Sequence, residues 1–163
     1  MRPMLMTRLG LEKLWAELAS LRLQLADQNR SMAQAFEAGG GSWHDNATWE
    51  HAQLEQSKLR GRVAELETLI GNAKLIEDME IDTSKVQPGT VTRVKGLGAP
   101  EAETSITILG VPDVHPDLYI ISYLAPLAKA ILGKKVGAKA KFNGDELTIL
   151  AIARWQPISP ELP

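Results

Sequence analysis

Large apolar residues recur at alternating intervals of three and four through the first half of the chain. The first series has a polar Gln28 inside it and otherwise comprises Leu11, Leu14, Leu18, Leu21, Leu25 and Met32. The second series comprises Ala52, Gln56, Leu59, Val63, Leu66, Ile70 and Ala73. This spacing is typical of the apolar seam of a coiled coil. It predicts helices over 8–37 and 46–76, each about 45 Å long.

Three consecutive glycines, Gly39-Gly40-Gly41, separate the two series. Glycine is a poor helix former and readily lets a chain reverse direction. We therefore expect an antiparallel helical hairpin whose seams face each other, with a tip loop at 39–45.

The pattern changes after Ile76. Pro88-Gly89 marks a turn, and alternating β-branched residues predict strands over 90–94, 105–109, 118–122 and 147–152. A short helix is expected over 126–132, since proline begins this segment and glycine follows it. Short strands with one helix indicate an α+β domain. We predict a helical finger over 1–79 and an α+β domain over 80–163.

Composition narrows the functional classes. The chain of 163 residues has no cysteine, which excludes disulfides and thiolate metal sites. The N-terminus does not have the pattern of a signal peptide, and no apolar run is long enough to span a bilayer. We expect a cytoplasmic protein with no membrane partner. The net charge of −2 is not that of a free nucleic-acid binder.

Two motifs in this order resemble those of the Gre family of bacterial transcription elongation factors. The first is Gly41-Ser42-Trp43-His44-Asp45-Asn46-Ala47-Thr48-Trp49, at the predicted start of the second helix. The second is Ile121-Ser122-Tyr123-Leu124-Ala125-Pro126, continuing to Gly133-Lys134. The resemblance covers nearly the whole chain.

The resemblance implies an accessory factor, not an enzyme, that stimulates cleavage of backtracked RNA by bacterial RNA polymerase. The second domain would resemble FK506-binding proteins and dock at the polymerase's secondary channel. The finger would enter that channel as a monomer and meet the RNA 3′ end. Its tip acids would help hold a Mg²⁺ shared with the polymerase, with none bound by the chain alone.

The tip keeps one of the family's two acids. Asp45 matches the family's glutamate and is the predicted catalytic and metal-contacting residue, whereas Ser42 stands at the aspartate position. Mg²⁺ prefers carboxylate oxygens, so a serine is a weaker ligand. Thr48 replaces another usual acid.

Each tip residue also has an alternative interpretation. Asp45 could cap the second helix, and Ser42 could be a turn residue. His44 could be a solvated loop residue instead of a phosphate contact, and Trp49 could cover the seam. Trp43 and Asn46 complete the predicted tip contacts, with Trp43 expected against RNA or the channel wall.

The predicted docking residues are Ser122, Leu124 and Pro126. Leu124 stands at an often polar position of the family, and Ala125 replaces a serine, so the docking surface is divergent. Strand and helix packing alone would also account for this segment.

Three alternative functions remain at this point. A Gre-like regulator could occupy the channel and inhibit the polymerase without cleavage, as the missing acid suggests. A peptidyl-prolyl isomerase would need an aromatic-lined apolar pocket. A coiled-coil module that binds RNA would need more basic residues than the acidic first half offers.

Overall fold

The computed structural model describes residues 3–38 and 47–157. Their backbone divides into two compact units, Glu12–Asn72 and a second one made of Met1–Leu11 with Ala73–Pro163. These units assign residues 1–11 and 73–79 differently from the predicted ranges 1–79 and 80–163. The first unit is helical and the second contains the sheet.

The helical unit is an antiparallel hairpin of α1 (Arg8–Ala38) and α2 (Ala47–Gly71). Polar contacts link the two helices at successive levels. Arg62 Nη2 lies 2.7 Å from Glu17 Oε1, and Arg22 Nη2 lies 2.6 Å from Glu67 Oε1. Farther along, Gln28 Nε2 donates to the backbone oxygen of Ala52 at 3.0 Å. Glu17 contacts Arg62, whereas Gln28, farther along α1, contacts Ala52, which lies nearer the start of α2, so the two helices are antiparallel.

Burial along the helices follows the predicted seams. Leu14, Leu18 and Leu66 are buried, and the remaining seam positions are half-buried. Polar side chains also link the two helices, because the side-chain amide of Gln56 donates a hydrogen bond to Asn29 Oδ1 across the hairpin. Two helices alone have no third layer to cover them, so the core of this unit is one narrow stripe.

The sheet unit is built on five strands in the order β5-β4-β3-β7-β6. All neighbours are antiparallel except the parallel pair β4 and β5. Their bounds are β3 Thr90–Lys95, β4 Glu103–Leu109, β5 Ile120–Ser122, β6 Lys139–Phe142 and β7 Asp145–Arg154. A single short helix, α3 (Pro126–Ile131), packs near β6. The prediction of an α+β domain is confirmed.

Alternation along the strands places one set of residues in a common apolar core with α3. This core comprises Val86, Val94, Ile106, Ile108, Ala128, Ile131, Ala140, Leu147 and Ile149. On the opposite side of β3 and β4, Arg93 and Ser105 are exposed, whereas Val91 and Thr107 are half-buried. The sheet therefore buries one face fully and the other only in part.

Two further strands, β1 (Met4–Met6) and β2 (Ala73–Leu75), pair in parallel. The backbone N–H of Ile76 extends this pairing by donating to Met6 O at 2.9 Å. The predicted helix over 46–76 is therefore wrong beyond Gly71, and Ala73 belongs to a strand. Pairing with a distant segment overrides the helical spacing of these last residues.

Asp113 connects the start of α1 to the loop after β4. Its carboxylate accepts from the Thr7 backbone N–H at 2.9 Å, from the Thr7 hydroxyl, and from the Gly110 N–H at 3.1 Å. The Thr7 hydroxyl oxygen also accepts from Gly10 N–H at 3.0 Å, which caps the helix. A Cβ on Gly10 would lie 2.3 Å from Asp113 Oδ1, so glycine is required for this approach.

Smaller differences from the predictions concern β5 and β6. The expected strand at 118–122 begins only at Ile120, because Pro116–Leu118 form a 3-10 turn and Tyr119 has a φ of 51°. Strand β6 was not predicted. Among the described residues, no helix is both long and apolar enough to cross a bilayer.

Candidate functional site

The predicted tip residues fall mostly outside the described part of the chain. Ser42, Trp43, His44, Asp45 and Asn46 all belong to the segment between Ala38 and Ala47, so their predicted roles stay predictions. Trp49 lies in the first turn of α2 and is half-buried. In residues 3–38 and 47–157, no group of three or more His, Asp or Glu side chains is placed to hold a metal.

The predicted docking residues lie together where β5 leads into α3. Ser122 ends β5 and is buried, and its hydroxyl oxygen accepts from the backbone N–H of Leu124 at 3.1 Å. The backbone oxygen of Ser122 accepts from Ala125 N–H at 2.9 Å. Ser122 therefore shapes the turn from inside the fold and offers little surface to a partner.

Leu124 and Pro126 are exposed on that turn. Pro126 occupies the first position of α3, where its missing N–H and fixed φ are suited to a helix start. Ala125 precedes it as the N-cap and has no side chain that could cap the helix. The turn thus presents an apolar surface.

Other exposed apolar side chains concentrate in the segment just before this turn. Of the eleven large hydrophobic side chains exposed in the described residues, five belong to residues 111–124: Val111, Val114, Leu118, Tyr119 and Leu124. We call these five side chains the 111–124 surface. A segment with several exposed hydrophobic side chains is a candidate protein-binding site.

The backbone of this segment is held in shape by its own hydrogen bonds. His115 N donates to Ile120 O at 3.0 Å, and Ile120 N donates back to His115 O at 3.1 Å. Tyr119 N donates to Pro116 O at 3.0 Å. The segment is therefore ordered locally while its apolar side chains remain exposed.

Sequence reasoning did not identify the 111–124 surface, because alternating residues favoured a strand over 118–122. A signal was nevertheless present. Pro112 and Pro116 lie four residues apart among apolar residues, and prolines of this kind indicate turns that expose their neighbours.

Charged side chains of the hairpin shift the pKa values of their partners. Hydrogen bonds with Glu17 and Glu65 raise the pKa of Arg62, and the hydrogen bond from Lys58 lowers the pKa of Glu55. These groups are exposed, and exposed pairs contribute little to stability. Of these pairs, only Arg62 with Glu17 joins the two helices, and it favours one alignment of them.

Both halves of the chain match models of one family. The model described as "Transcription elongation factor, N-terminal" covers residues 4–75, and the one described as "Transcription elongation factor, GreA/GreB, C-term" covers residues 81–154.

Individual relatives agree with these matches. The chain is 33% identical to transcription elongation factor GreA of Nautilia profundicola, over 85% of this chain and 84% of that protein. It is 35% identical to GreA of Thermoanaerobacter pseudethanolicus, over 83% of this chain and 85% of the relative. Among solved structures, GreA factor homolog 1 of Thermus thermophilus aligns with a TM-score of 0.44 at 22% identity, covering 93% of this chain and 99% of that one. The chain belongs to the GreA/GreB family of transcription elongation factors, which are accessory proteins of RNA polymerase and not enzymes themselves.

Proposed function

We propose that this factor docks on RNA polymerase through the 111–124 surface and the adjoining Pro126, and stimulates cleavage of backtracked RNA with its hairpin. The observation that supports docking most directly is the concentration of exposed hydrophobic side chains at 111–124. The same turn continues into the segment that resembles the family's docking motif. A largely apolar contact needs no polar residue at position 124, which accounts for the leucine there.

The shape of the helical unit supports entry into a channel. It is only two helices wide, and α1 alone is about 45 Å long. Arg22, Arg62 and Lys58 are already paired with carboxylates of the hairpin itself. These pairs leave few cations for phosphate, so the hairpin gives little support to the alternative of a coil that grips RNA.

The tip supplies the chemistry in this proposal. Asp45 would offer one carboxylate to a Mg²⁺ retained mainly by the polymerase, and Ser42 would contribute little. Such an ion supplies an activated water for phosphodiester cleavage. Trp43, His44, Asn46 and Trp49 would contact the RNA 3′ end or the channel. The factor would act as a monomer in the cytoplasm.

One alternative within the family has a specific observation in its favour. Ser42 and Thr48 stand at positions where the family usually has acids. Losing negative charge beside a divalent cation weakens its retention. A factor that occupies the channel and inhibits transcription without cleavage would tolerate both changes.

Cleavage of RNA in stalled, backtracked polymerase complexes tests the proposal. The wild type should cleave weakly and respond to added Mg²⁺, Ser42→Asp should cleave faster, and Asp45→Ala should lose the activity. Restoring an acid strengthens a metal site most where water is scarce. Each protein is also assayed for polymerase binding, so that a loss of docking is not mistaken for a loss of chemistry.

The outcomes separate the two functions. Slowing of RNA synthesis with no cleavage by any of the three proteins would favour the inhibitor. Cleavage that is indifferent to Asp45 would show that this carboxylate does not contact the metal.

A further inference from the structure

One segment of the sheet unit is rich in lysine. Residues 118–144 contain five lysines, no arginine and no Asp or Glu: Lys129, Lys134, Lys135, Lys139 and Lys141. The protein as a whole has a net charge of −2. A local excess of five positive charges is therefore an exception within a slightly acidic molecule.

The fold brings three of these lysines around one depression. In β6, Ala140 points into the core, so its neighbours Lys139 and Lys141 lie on the opposite side of the strand. A shallow cavity of about 270 Å³ is lined by Ala130, Lys134, Lys139, Ala140, Lys141 and Glu146. Three of the six lining residues are therefore lysines, and one is an acid.

The charge in the depression is only partly neutralised. Glu146 Oε1 lies 2.5 Å from Lys139 Nζ, and this hydrogen bond lowers the pKa of Glu146. Within the described residues, neither Lys134 nor Lys141 has a carboxylate at ion-pair distance. Lys129 and Lys135 likewise have none there, so four of the five lysines remain unpaired in that part of the chain.

One more acid lies near this cluster. Two hydrogen bonds from Ser84, and after them the charges of Lys85 and Lys135, lower the pKa of Asp82. Asp82 accepts both the Ser84 N–H and the Ser84 hydroxyl, at 2.9 and 2.8 Å. Its oxygens are thus engaged by the local turn, and Lys85 adds a further positive charge.

We propose that the depression formed by Lys134, Lys139 and Lys141 binds the phosphodiester backbone of nucleic acid. Lysine ammonium groups bind phosphate oxygens as point charges. Lysines clustered in one part of a fold are the electrostatic footprint of backbone binding, which favours nucleic acid as the occupant. A cavity of this volume also has room for a phosphate group.

Binding at this site is independent of base sequence. From α3 to β7 the only aromatic side chain is Phe142, which is half-buried against the core and cannot serve as a base-stacking platform. Backbone contacts alone give weak, salt-dependent binding, with a Kd of roughly 10⁻⁴ to 10⁻⁶ M. The inference does not rest on the proposed docking or on cleavage, because it concerns different residues.

Fluorescence anisotropy of a labelled 20-nucleotide single-stranded RNA, titrated with the full chain at 50 to 200 mM salt, tests the site. Three phosphate contacts predict a slope of log K against log salt of about −2. The double variant Lys134→Glu/Lys141→Glu should weaken binding at least about tenfold at low salt and flatten the slope toward about −0.7. The matched control Lys13→Glu/Lys74→Glu makes the same charge change at exposed lysines elsewhere and should bind about twofold weaker at most.

A variant with the opposite expected effect keeps the test independent of folding damage. Glu146→Gln removes the acid and frees Lys139, so binding should tighten several-fold. Equal weakening by both double variants, or no effect of Glu146→Gln, would overturn the site. A polyglutamate peptide of the same length that binds the wild type as tightly as the RNA would also overturn it, in favour of an acidic protein partner.

Discussion

At the scale of single residues, hydrogen bonds between Thr7 and Asp113 join two distant parts of the chain. They are 106 residues apart, yet the buried carboxylate of Asp113 takes up two donors of Thr7 and one of Gly110. A buried carboxylate without such donors would be costly. The same threonine also caps α1, so one side chain serves two connections.

Replacing Thr7 with valine should therefore destabilise the sheet unit. The change keeps the shape but removes the hydroxyl, leaving the Gly10 N–H without its acceptor and Asp113 Oδ1 without the hydroxyl donor. We expect the free energy of unfolding to fall by about 2 kcal/mol. Urea unfolding followed by intrinsic fluorescence measures it, with Thr7→Ser as the control that retains the hydroxyl. Equal stability of the valine and serine variants would show that the hydroxyl contributes nothing.

Residue-level prediction from the sequence succeeded where apolar residues recur at a regular spacing. Every seam position from Leu11 to Ile70 is buried or half-buried, as the spacing of three and four requires. The contact between Thr7 and Asp113 left no such signal, because hydrogen bonds between distant residues impose no periodicity. The docking role of the turn at 122–126 stays a prediction, and the burial of Ser122 could not be read from its motif.

At the scale of elements, the hairpin has a core only one stripe wide. Leu18 and Leu66 are almost fully buried, and the polar contacts on either side place them at matching levels. The other seam residues of the hairpin, such as Leu25 and Leu59, are only half-buried. Stability in this unit is thus concentrated at a few leucines.

Leu18→Ala should destabilise the hairpin strongly, since deleting a buried leucine side chain leaves a cavity and costs about 2–5 kcal/mol. Leu23 lies on the same helix but is 68% exposed. Leu23→Ala should change stability by about 0.5 kcal/mol or less. Urea unfolding monitored by circular dichroism at the helical band compares them. Similar losses in both variants would contradict a seam centred on Leu18.

Elements were predictable in proportion to their length. Strands β3, β4 and β7 were found because alternation extends over several residues. Strands β1 and β2 have three residues each, too few to show a period, and β2 continues the helical spacing of α2. These strands pair although they are far apart in the sequence, so no local pattern predicts their pairing.

At the scale of the whole molecule, the docking proposal depends on exposed residues and not on Ser122. A charged residue at buried Ser122 would disturb the turn itself and would test folding. Leu118 and Leu124 are 58% and 45% exposed, so their substitution leaves the core intact.

We expect Leu118→Asp/Leu124→Asp to weaken polymerase binding at least about tenfold, because a desolvated charge at an apolar contact costs more than 1.4 kcal/mol. Val136→Asp is the control, since Val136 is 58% exposed but lies outside the 111–124 surface. Pull-down with purified polymerase, together with thermal unfolding of each variant, gives the readout. Unchanged binding by the double variant would exclude this surface as the docking site.

The parallel pair of β1 and β2 has a consequence for biosynthesis. Residues 12–72 are inserted between the two parts of the sheet unit, so they leave the ribosome as one continuous segment with partners of their own. Met4–Met6 are made earlier, but Ala73–Leu75 and Asp113, with which this N-terminal segment pairs, appear only after the hairpin. The hairpin can fold as a unit during translation, while the sheet unit must wait for β7. Met4–Met6 are thus made before the hairpin but meet their partners only after it.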